Sequence, residues 1–440
     1  MLENWKSFRS AELQLSNLTL LIGTNASGKS NALEALKLLN WLAVGGHLGR
    51  YREDTDADRG TLRIRGGMED LVHRESNSPQ FAFGCTLRGT TGNEILQLRM
   101  SLGIADGELR LVSETLNQPT DEDSRFPLYS AERRPEQVGN ILRVAYNNYR
   151  RGGRKPQIEC VDHQPVFAQL QSPARFGKDH AQSRKRIPVA CQAVQHTLGA
   201  MLFLDPDPNA MRVWADKHGK RLLPNGANVS AVLHNLCTDE EARSTLLDFI
   251  AHLPEQQIRG ISFQDSPRNE VMVRLHESFG GREQTTDAPL LSDGTLRVLS
   301  IAAALLSVER GTLVVIEEID NGVHPSRAQR LLDNINTLAK KRGLRVLLTT
   351  HNPALLDSLP TSAIPDVTVC HRDTDGGSVL VRLEELDRYP ELLAQGPLGR
   401  STARGTLERF IKETPNLDAR SKALASLLDG LSGAEGGGVP

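Results

Sequence analysis

Cysteine is sparse and scattered in this sequence. Cys85, Cys160, Cys191, Cys237 and Cys370 lie far apart and no CxxC pair occurs, which argues against a zinc ribbon or a disulfide framework and predicts a reducing compartment. Long apolar runs are missing as well. The longest, near Ile301 to Leu306, is far short of the roughly 20 residues that a spanning helix needs. No basic-then-apolar leader opens the chain, so a soluble, cytoplasmic protein without membrane contact is expected. Neither sustained heptads nor an internal repeat is found, so no long coiled coil is expected. No HEXXH, HNH-like cluster, Toprim pattern or Ser/His/Asp constellation appears, so the chain is not expected to cut nucleic acid by itself.

What is present begins at Leu18 to Leu42, LTLLIGTNASGKSNALEALKLLNWL. Leu18, Leu20, Leu21 and Ile22 read as a buried strand, the glycines interrupt it, and Leu33, Leu36 and Leu39 recur at helical spacing. Between strand and helix, Gly23-Thr24-Asn25-Ala26-Ser27-Gly28-Lys29-Ser30 matches GxxxxGKS, with Asn31 following. Glycines at these positions let backbone N–H groups turn inward around phosphates at a helix N-terminus. Lys29 is expected to reach the β and γ phosphates of ATP and Ser30 to hold Mg²⁺. The alternative is an ordinary Gly-rich turn.

Three later stretches complete a nucleotide site. Thr312 to Ile316 reads as a buried strand ending in Glu317-Glu318. Two carboxylates where a strand leaves the core are costly unless a cation and water lie beside them. Glu317 therefore suits the Mg²⁺ shell and Glu318 a general base acting on the attacking water; the bland alternative is a solvated strand end. A helix follows, with Pro325 in its first turn, an apolar face of Leu331, Leu332, Ile335 and Leu338, and Gly343 as its end. The next strand, Leu344 to Thr350, delivers His351 to the same crevice, within reach of a γ-phosphate. Finally, Leu291-Ser292-Asp293-Gly294-Thr295 stands directly before an apolar helix, Leu296 to Ser307. It is either a plain capped start or a second phosphate-binding helix N-terminus. One ATP cannot use both helix starts within one compact head, so Ser292 and Gly294 are expected to cover the Lys29 of a second copy.

Elsewhere the signals are coarser. Leu2 to Ser16 suits an edge strand and hairpin, and LRIR, FAFGCTL, ILQLRMSLGI and ELRLVSE between Thr61 and Glu114 read as an antiparallel sheet. Helices are expected at Gln137 to Asn148, Ala227 to Leu236 and Asp239 to Leu253, the last capped by Thr238 with Glu241 three residues on. Strands are expected at Gly260 to Gln264 and Glu270 to His276. Asp373 and Asp375 flank a hairpin turn at Gly376-Gly377, in preference to a metal site. The Gly-rich end, Gly430 to Pro440, is expected to lack fixed structure. Charge is uneven: between Arg125 and Ala190 there are 13 Lys/Arg against five acids, a surplus of eight that leaves the rest of a chain of net charge −2 at −10. Arg150, Arg151, Arg154 and Lys155, or Arg184, Lys185 and Arg186, could line a phosphate-binding face with Tyr146 and Tyr149 as stacking surface; a solvated loop or a dock for an acidic protein is the alternative.

In that order, GTNASGKS, LSDGT, VVIEE and LLTTH resemble the ABC-type ATPase head of the SMC/RecF/OLD group. NWKSF, IRGGMEDLV, EEIDNGVHPS, TTHNPALL and YPELLAQGPLG are similar to bacterial OLD-like AAA ATPases, often found in phage-defence operons. The resemblance spans Leu2 to Leu116 and Pro289 to Gly399. It implies an α/β fold: an ABC-type P-loop ATPase head with an antiparallel β subdomain and an inserted, mainly helical lobe. The expected divisions are 1–116 and 258–382 for the two parts of the head, 117–257 for the inserted basic lobe and 383–440 for a C-terminal helical region and tail. It also implies Mg²⁺-dependent ATP hydrolysis, a homodimer or higher oligomer driven by ATP, and contact with DNA or a separate effector such as a nuclease or toxin. A RecF-like repair ATPase and the nucleotide-binding subunit of a transporter are the rival expectations. Departures from the transporter pattern are LSDGT in place of LSGGQ and Glu-Glu in place of Asp-Glu, and no glutamine is assigned to a Q-loop near Gly66-Gly67. Only about eighty residues follow Pro360, too few for the Toprim nuclease of OLD proteins.

Overall fold

The computed structural model describes residues 1–55, 62–88, 94–119, 126–133, 139–150, 152–251, 257–279, 282–321 and 325–413. In chain order the strands are β1 (Leu2–Trp5), β2 (Phe8–Ala11), β3 (Leu18–Ile22), β4 (Gln80–Arg88), β5 (Ile95–Ala105), β6 (Glu108–Asn117), β7 (Tyr129–Glu132), β8 (Ile141–Tyr146), β9 (Gln157–Val161), β10 (Leu202–Leu204), β11 (Ala215–Asp216), β12 (Gln257–Asp265), β13 (Glu270–Phe279), β14 (Arg282–Asp287), β15 (Leu313–Ile316), β16 (Arg345–Thr349), β17 (Val367–Arg372) and β18 (Ser378–Arg382). They form three sheets.

The organising sheet has the order β10-β15-β16-β3-β17-β18, parallel except for the hairpin strand β18. Its central strands are apolar on both faces because both faces are covered. Leu18, Leu20 and Ile22 of β3, Val314 and Ile316 of β15, and Val346 and Leu348 of β16 enter one core, together with the helices Asp293–Ser307 and Pro325–Arg342. Leu21, Val315 and Leu347 point the other way, into a second core. That core also takes the helix Lys29–Ala43 and the inner face of an eight-stranded antiparallel sheet, β2-β1-β4-β5-β6-β7-β8-β9. The period of two along each strand thus assigns alternate residues to different layers. The third sheet pairs β11, β13 and β12, with β14 on β13.

Four sequence expectations are corrected. Of the helix expected over Gln137 to Asn148, residues 137 and 138 lie outside the described residues and the rest contains β8, where exposed Ile141 and Arg143 alternate with buried Leu142, Val144 and Tyr146, a period of two and not 3.6. LRIR lies in no strand, although Leu62 and Ile64 are buried. The cap of the helix Glu240–Ile250 is Asp239, which accepts from the Ala242 N–H at 2.8 Å; Thr238 instead donates to the Asn235 carbonyl at 2.7 Å, closing the preceding helix. The boundary at 117 falls inside a continuous sheet, since β6 ends at Asn117 and pairs with β7. The segment 117–257 supplies β7 to β9 to that sheet, β10 to the parallel sheet and β11 to the third, beside its helices Ala181–Gly199, Val229–Leu236 and Glu240–Ile250. The stretch Gly430 to Pro440 lies outside the described residues.

Beyond β18 the described residues, up to Glu413, stay packed on the body. Leu392, Leu398, Leu407 and Phe410 from short helices between Tyr389 and Glu413 join the first core. The Gly399 N–H donates to Asp357 at 2.6 Å, and a Cβ on Gly399 would stand 2.2 Å from the Pro353 carbonyl oxygen.

One buried acid carries a consequence for stability. Glu114, on β6, has no exposure and accepts from the Tyr129 hydroxyl at 2.6 Å and from the Val166 and Phe167 N–H groups, each at 2.8 Å. Burial pushes its carboxyl up from an ordinary value of 4.5 to about 7, against the hydrogen bonds, which favour the charged form. The folded state therefore holds the proton more tightly than the unfolded chain. The stability this contributes is greatest below about 4.5 and is lost as pH rises through 7. Between pH 6 and 8.5, wild-type protein is expected to lose roughly 1–1.5 kcal/mol relative to Glu114→Gln. Urea unfolding of both proteins at the two pH values measures it; a wild type that gains stability relative to Glu114→Gln would refute the assignment.

Candidate functional site

The loop after β3 is shaped by two glycines. Gly23 has φ +153°, and a Cβ there would lie 2.2 Å from the Cys370 carbonyl oxygen; Gly28 has φ +121°, and a Cβ would lie 2.3 Å from Ser378 Oγ. Only hydrogen can occupy those positions without displacing β17 and β18. Asn25 and Ala26 are exposed at the loop tip, Ser27 is buried under it, and the helix begins at Lys29. Lys29 Nζ donates to the Gly23 and Thr24 carbonyls at 2.6 and 3.1 Å. Burial lowers its pKa, opposed by the nearby Glu318 carboxylate. The ammonium is thus held at the mouth of the loop, and Ser30, next in the helix, is exposed beside it.

The carboxylates arrive from the C-terminal end of β15 and the histidine from that of β16, which lies between β15 and β3. Glu318 sits at φ +49°, its N–H donates to Thr349 Oγ1 at 3.0 Å, and its carboxylate accepts from the Asn321 side-chain amide. Strained backbone of this kind at a strand end is a mark of functional sites. Glu317 forms an ion pair with Lys37 at 2.7 Å. Thr350 Oγ1 donates to Asp320 at 2.6 Å, which fixes the turn before exposed His351. One cleft of about 1220 Å³ is lined by residues 24–31 together with Glu317, Glu318 and His351. Ligand sites in open α/β sheets form at this carboxyl end of the strands.

Sequence reading missed the residues that brace the loop. Ser378 Oγ donates to the Ser27 carbonyl at 2.5 Å and accepts from the Ser7 hydroxyl at 2.7 Å, and Asn31 donates to the same Ser7 oxygen at 2.7 Å. Arg372 Nε donates to the Ala26 carbonyl at 3.0 Å. Buried Glu34 is held by Lys6 at 2.6 Å and Arg65 at 2.7 Å, and both basic residues line the cleft. Lys37 alone had a local signal. It follows Lys29 by eight residues, about two helical turns, on the same face.

Ser292 and Gly294 are not brought to this cleft within the chain. Ser292 is exposed and caps the helix Asp293–Ser307, accepting from the Thr295 N–H at 3.1 Å. Leu290 beside it is 79% exposed, and Arg212 binds the Leu291 carbonyl at 3.1 Å and Asp293 at 2.5 Å. In the basic segment Tyr146 is buried against Phe176 and His180, so it offers no stacking surface. Tyr149 carries the Arg186 guanidinium over its ring at 5.0 Å, and Lys155 lies over Phe126. Arg150, Arg154 and Lys185 are exposed; Arg151 lies outside the described residues. Asp373 and Asp375 belong to the β17–β18 turn, where Asp373 Oδ1 accepts from the Asp375 and Gly377 N–H groups at 3.0 and 2.7 Å. Among the described residues no cluster of three or more His, Cys, Asp or Glu is arranged to hold a metal, and no helix is long and apolar enough to cross a membrane. The donor set of Ser30 and Glu317 nevertheless fits Mg²⁺, which takes one or two protein oxygens and completes its shell with phosphate and water.

Two family models match the chain. One, described as "AAA domain, putative AbiEii toxin, Type IV TA system", matches residues 191–357; the other, "AAA ATPase domain", matches residues 1–43. Between them they contain residues 23–31, Ser292, Gly294, Glu317, Glu318 and His351, but not Arg65, Arg372 or Ser378. Both descriptions are of AAA domains. No curated protein matches the chain. Among solved structures, the chain is similar to an SMC head bound to the C-winged helix domain of ScpA (14% identity, TM-score 0.44, 86% of this chain and 95% of that one). It is also similar to the SMC head domain from Thermotoga maritima (13%, 0.35, 87% and 96%) and to an SMC head with an extended coiled coil bound to the C-terminal domain of ScpA from Pyrococcus furiosus (12%, 0.41, 89% and 98%).

Proposed function

We propose that this chain is a Mg²⁺-dependent ATPase whose ATP-bound dimer governs a separate effector in defence against phage. The observation that supports it is the convergence of Lys29, Ser30, Glu317, Glu318 and His351 on one cleft. Loop N–H groups and Lys29 hold the β and γ phosphates, and Ser30 and Glu317 hold the Mg²⁺, which supplies charge neutralisation at the phosphates. Glu318 accepts a proton from the water that attacks the γ-phosphorus. The bond from that phosphorus to the bridging oxygen of the β-phosphate breaks, giving ADP and phosphate. His351 stands beside the γ-phosphate and positions it.

ATP shared between two copies stabilises only the closed dimer, and a ligand of that kind biases whatever docks on it. One matching family model is described as a putative toxin of a toxin–antitoxin system, a setting that favours a defence role over a transporter subunit. Co-purification with the proteins of neighbouring genes, followed by nuclease and growth assays, tests the reading: toxicity is expected only with a neighbour and only with Lys29 intact. Strong cleavage of DNA or RNA by the isolated chain, lost in Asp373→Ala/Asp375→Ala, would overturn it.

Exposed Arg150, Arg154 and Lys185 favour a second reading, a RecF-like DNA-repair ATPase. In that case duplex DNA binds with an affinity that falls by about tenfold or more between 50 and 200 mM salt, and the triple Glu variant binds correspondingly less. Affinity indifferent to both would leave the effector reading alone.

A further inference from the structure

A second cavity, of about 720 Å³, lies at the opposite end of the parallel sheet from the nucleotide cleft. Leu18 at the start of β3, Thr312 just before β15, Arg345 at the start of β16 and Asp366 just before β17 all line it. The charges around it are one-sided. Arg88 from the end of β4, Arg310 from the turn after the helix Asp293–Ser307, Lys340 from the helix Pro325–Arg342 and Arg345 converge on it from four elements. Among the described residues Asp366 is the only acidic side chain in the lining, and it is already engaged: Arg382 pairs with it and Ser16 Oγ donates to it at 2.7 Å. His196, also at the cavity, is paired with Glu309 at 2.9 Å.

Among the described residues, neither Arg88, Arg310, Lys340 nor Arg345 forms an ion pair with a carboxylate. Arg345 Nε donates to the Leu15 carbonyl at 3.2 Å and Lys340 Nζ to Ser362 Oγ at 3.2 Å. Those neutral contacts hold the side chains in place without neutralising them. Burial lowers the pKa of Arg345, and the nearby Arg88 guanidinium lowers it further. Arg88, Arg310 and Lys340 are exposed and Arg345 is half-buried, so an anion entering the cavity meets four cations that no carboxylate offsets.

We propose that this cavity is a second ligand site, for a small molecule that carries two or more phosphate groups. Four cations on four different elements suit several phosphate oxygens at once, and Asn17, Thr312, Asn336 and Ser362 in the lining add neutral polar groups that can fix the remainder of the ligand. The volume falls within the roughly 300–1,000 Å³ typical of small-molecule sites. A nucleic acid backbone would instead be met by a stripe of cations along an open surface. Because the cavity is built on the starts of β3, β15 and β16, whose ends carry Gly23, Glu317 and His351, occupancy and nucleotide turnover share the same three strands. The site does not depend on what the ATPase governs.

Inorganic tripolyphosphate is the probe, titrated calorimetrically into Lys29→Ala protein so that the P-loop contributes little. One equivalent is expected to bind, and Arg310→Gln/Arg345→Gln in that background is expected to weaken it at least tenfold. Arg345→Lys, which keeps the charge, should restore part of the loss, and circular dichroism controls for folding. Equal affinity with and without the cavity substitutions, or no binding, overturns the proposal. So does a 20-base-pair duplex that binds Lys29→Ala protein, loses affinity in the cavity variant and excludes tripolyphosphate, since that result assigns the cavity to nucleic acid.

Discussion

Glu318→Gln protein is expected to bind ATP with wild-type affinity and to hydrolyse it at least a hundredfold more slowly, because general-base contributions run to about 10²–10⁴-fold. The substitution is nearly isosteric. Its side-chain oxygen can still accept from Asn321, and the main-chain bond from the Glu318 N–H to Thr349 Oγ1 is untouched. What is lost is the ability to take a proton from the attacking water. Filter binding and phosphate release measured on one preparation separate the two effects. The variant should also accumulate as an ATP-dependent dimer on a sizing column, since the nucleotide that stabilises the closed form is no longer consumed. Hydrolysis equal to wild type would remove the base assignment from Glu318 and shift attention to His351, which lines the same cleft.

The parts of this site that could be read from sequence are those in which chemistry and local pattern coincide. GTNASGKS announces itself because strand, glycine-bearing loop and helix are contiguous, and Glu317-Glu318 and His351 stand at the ends of short apolar runs that can only be buried strands. The bracing of the loop was not legible. Ser378 and Cys370 meet Ser27 across more than 340 residues, and Ser7 reaches Asn31 from the turn between β1 and β2. Nothing within a window of ten or twenty residues marks such contacts. The misreading of β8 has a different origin: an amphipathic stretch of six residues bordered by polar ones fits either period until its neighbours β7 and β9 are known. Tyr146 shows the same limit for function. An aromatic residue among arginines looks like a stacking surface, yet its hydroxyl contacts His180 at 2.8 Å beneath the surface.

The other large effect expected is complementation between two inactive proteins. Lys29→Ala removes the ammonium that meets the phosphates, and Ser292→Arg places a long cation at the exposed start of the helix Asp293–Ser307. Within one chain that helix start does not line the cleft around Lys29, so the two substitutions damage one ATP site only if two chains build it. The face around Ser292 is suited to a partner: Leu290, Val213 and Trp214 are exposed there at 79%, 52% and 36%, and Arg212 next to them binds Asp293. Apolar side chains of this size, gathered around a polar helix start, are the kind of surface that a second copy covers. Each protein alone is expected to be nearly inactive. Mixed in equal amounts and allowed to exchange, half of the dimers pair one of each kind. In such a dimer the intact Lys29 of one chain faces the intact Ser292 of the other, so activity should return to about a quarter of wild type. A mixture no more active than its components would place Ser292 outside the ATP site and leave the helix Asp293–Ser307 as a capped core helix.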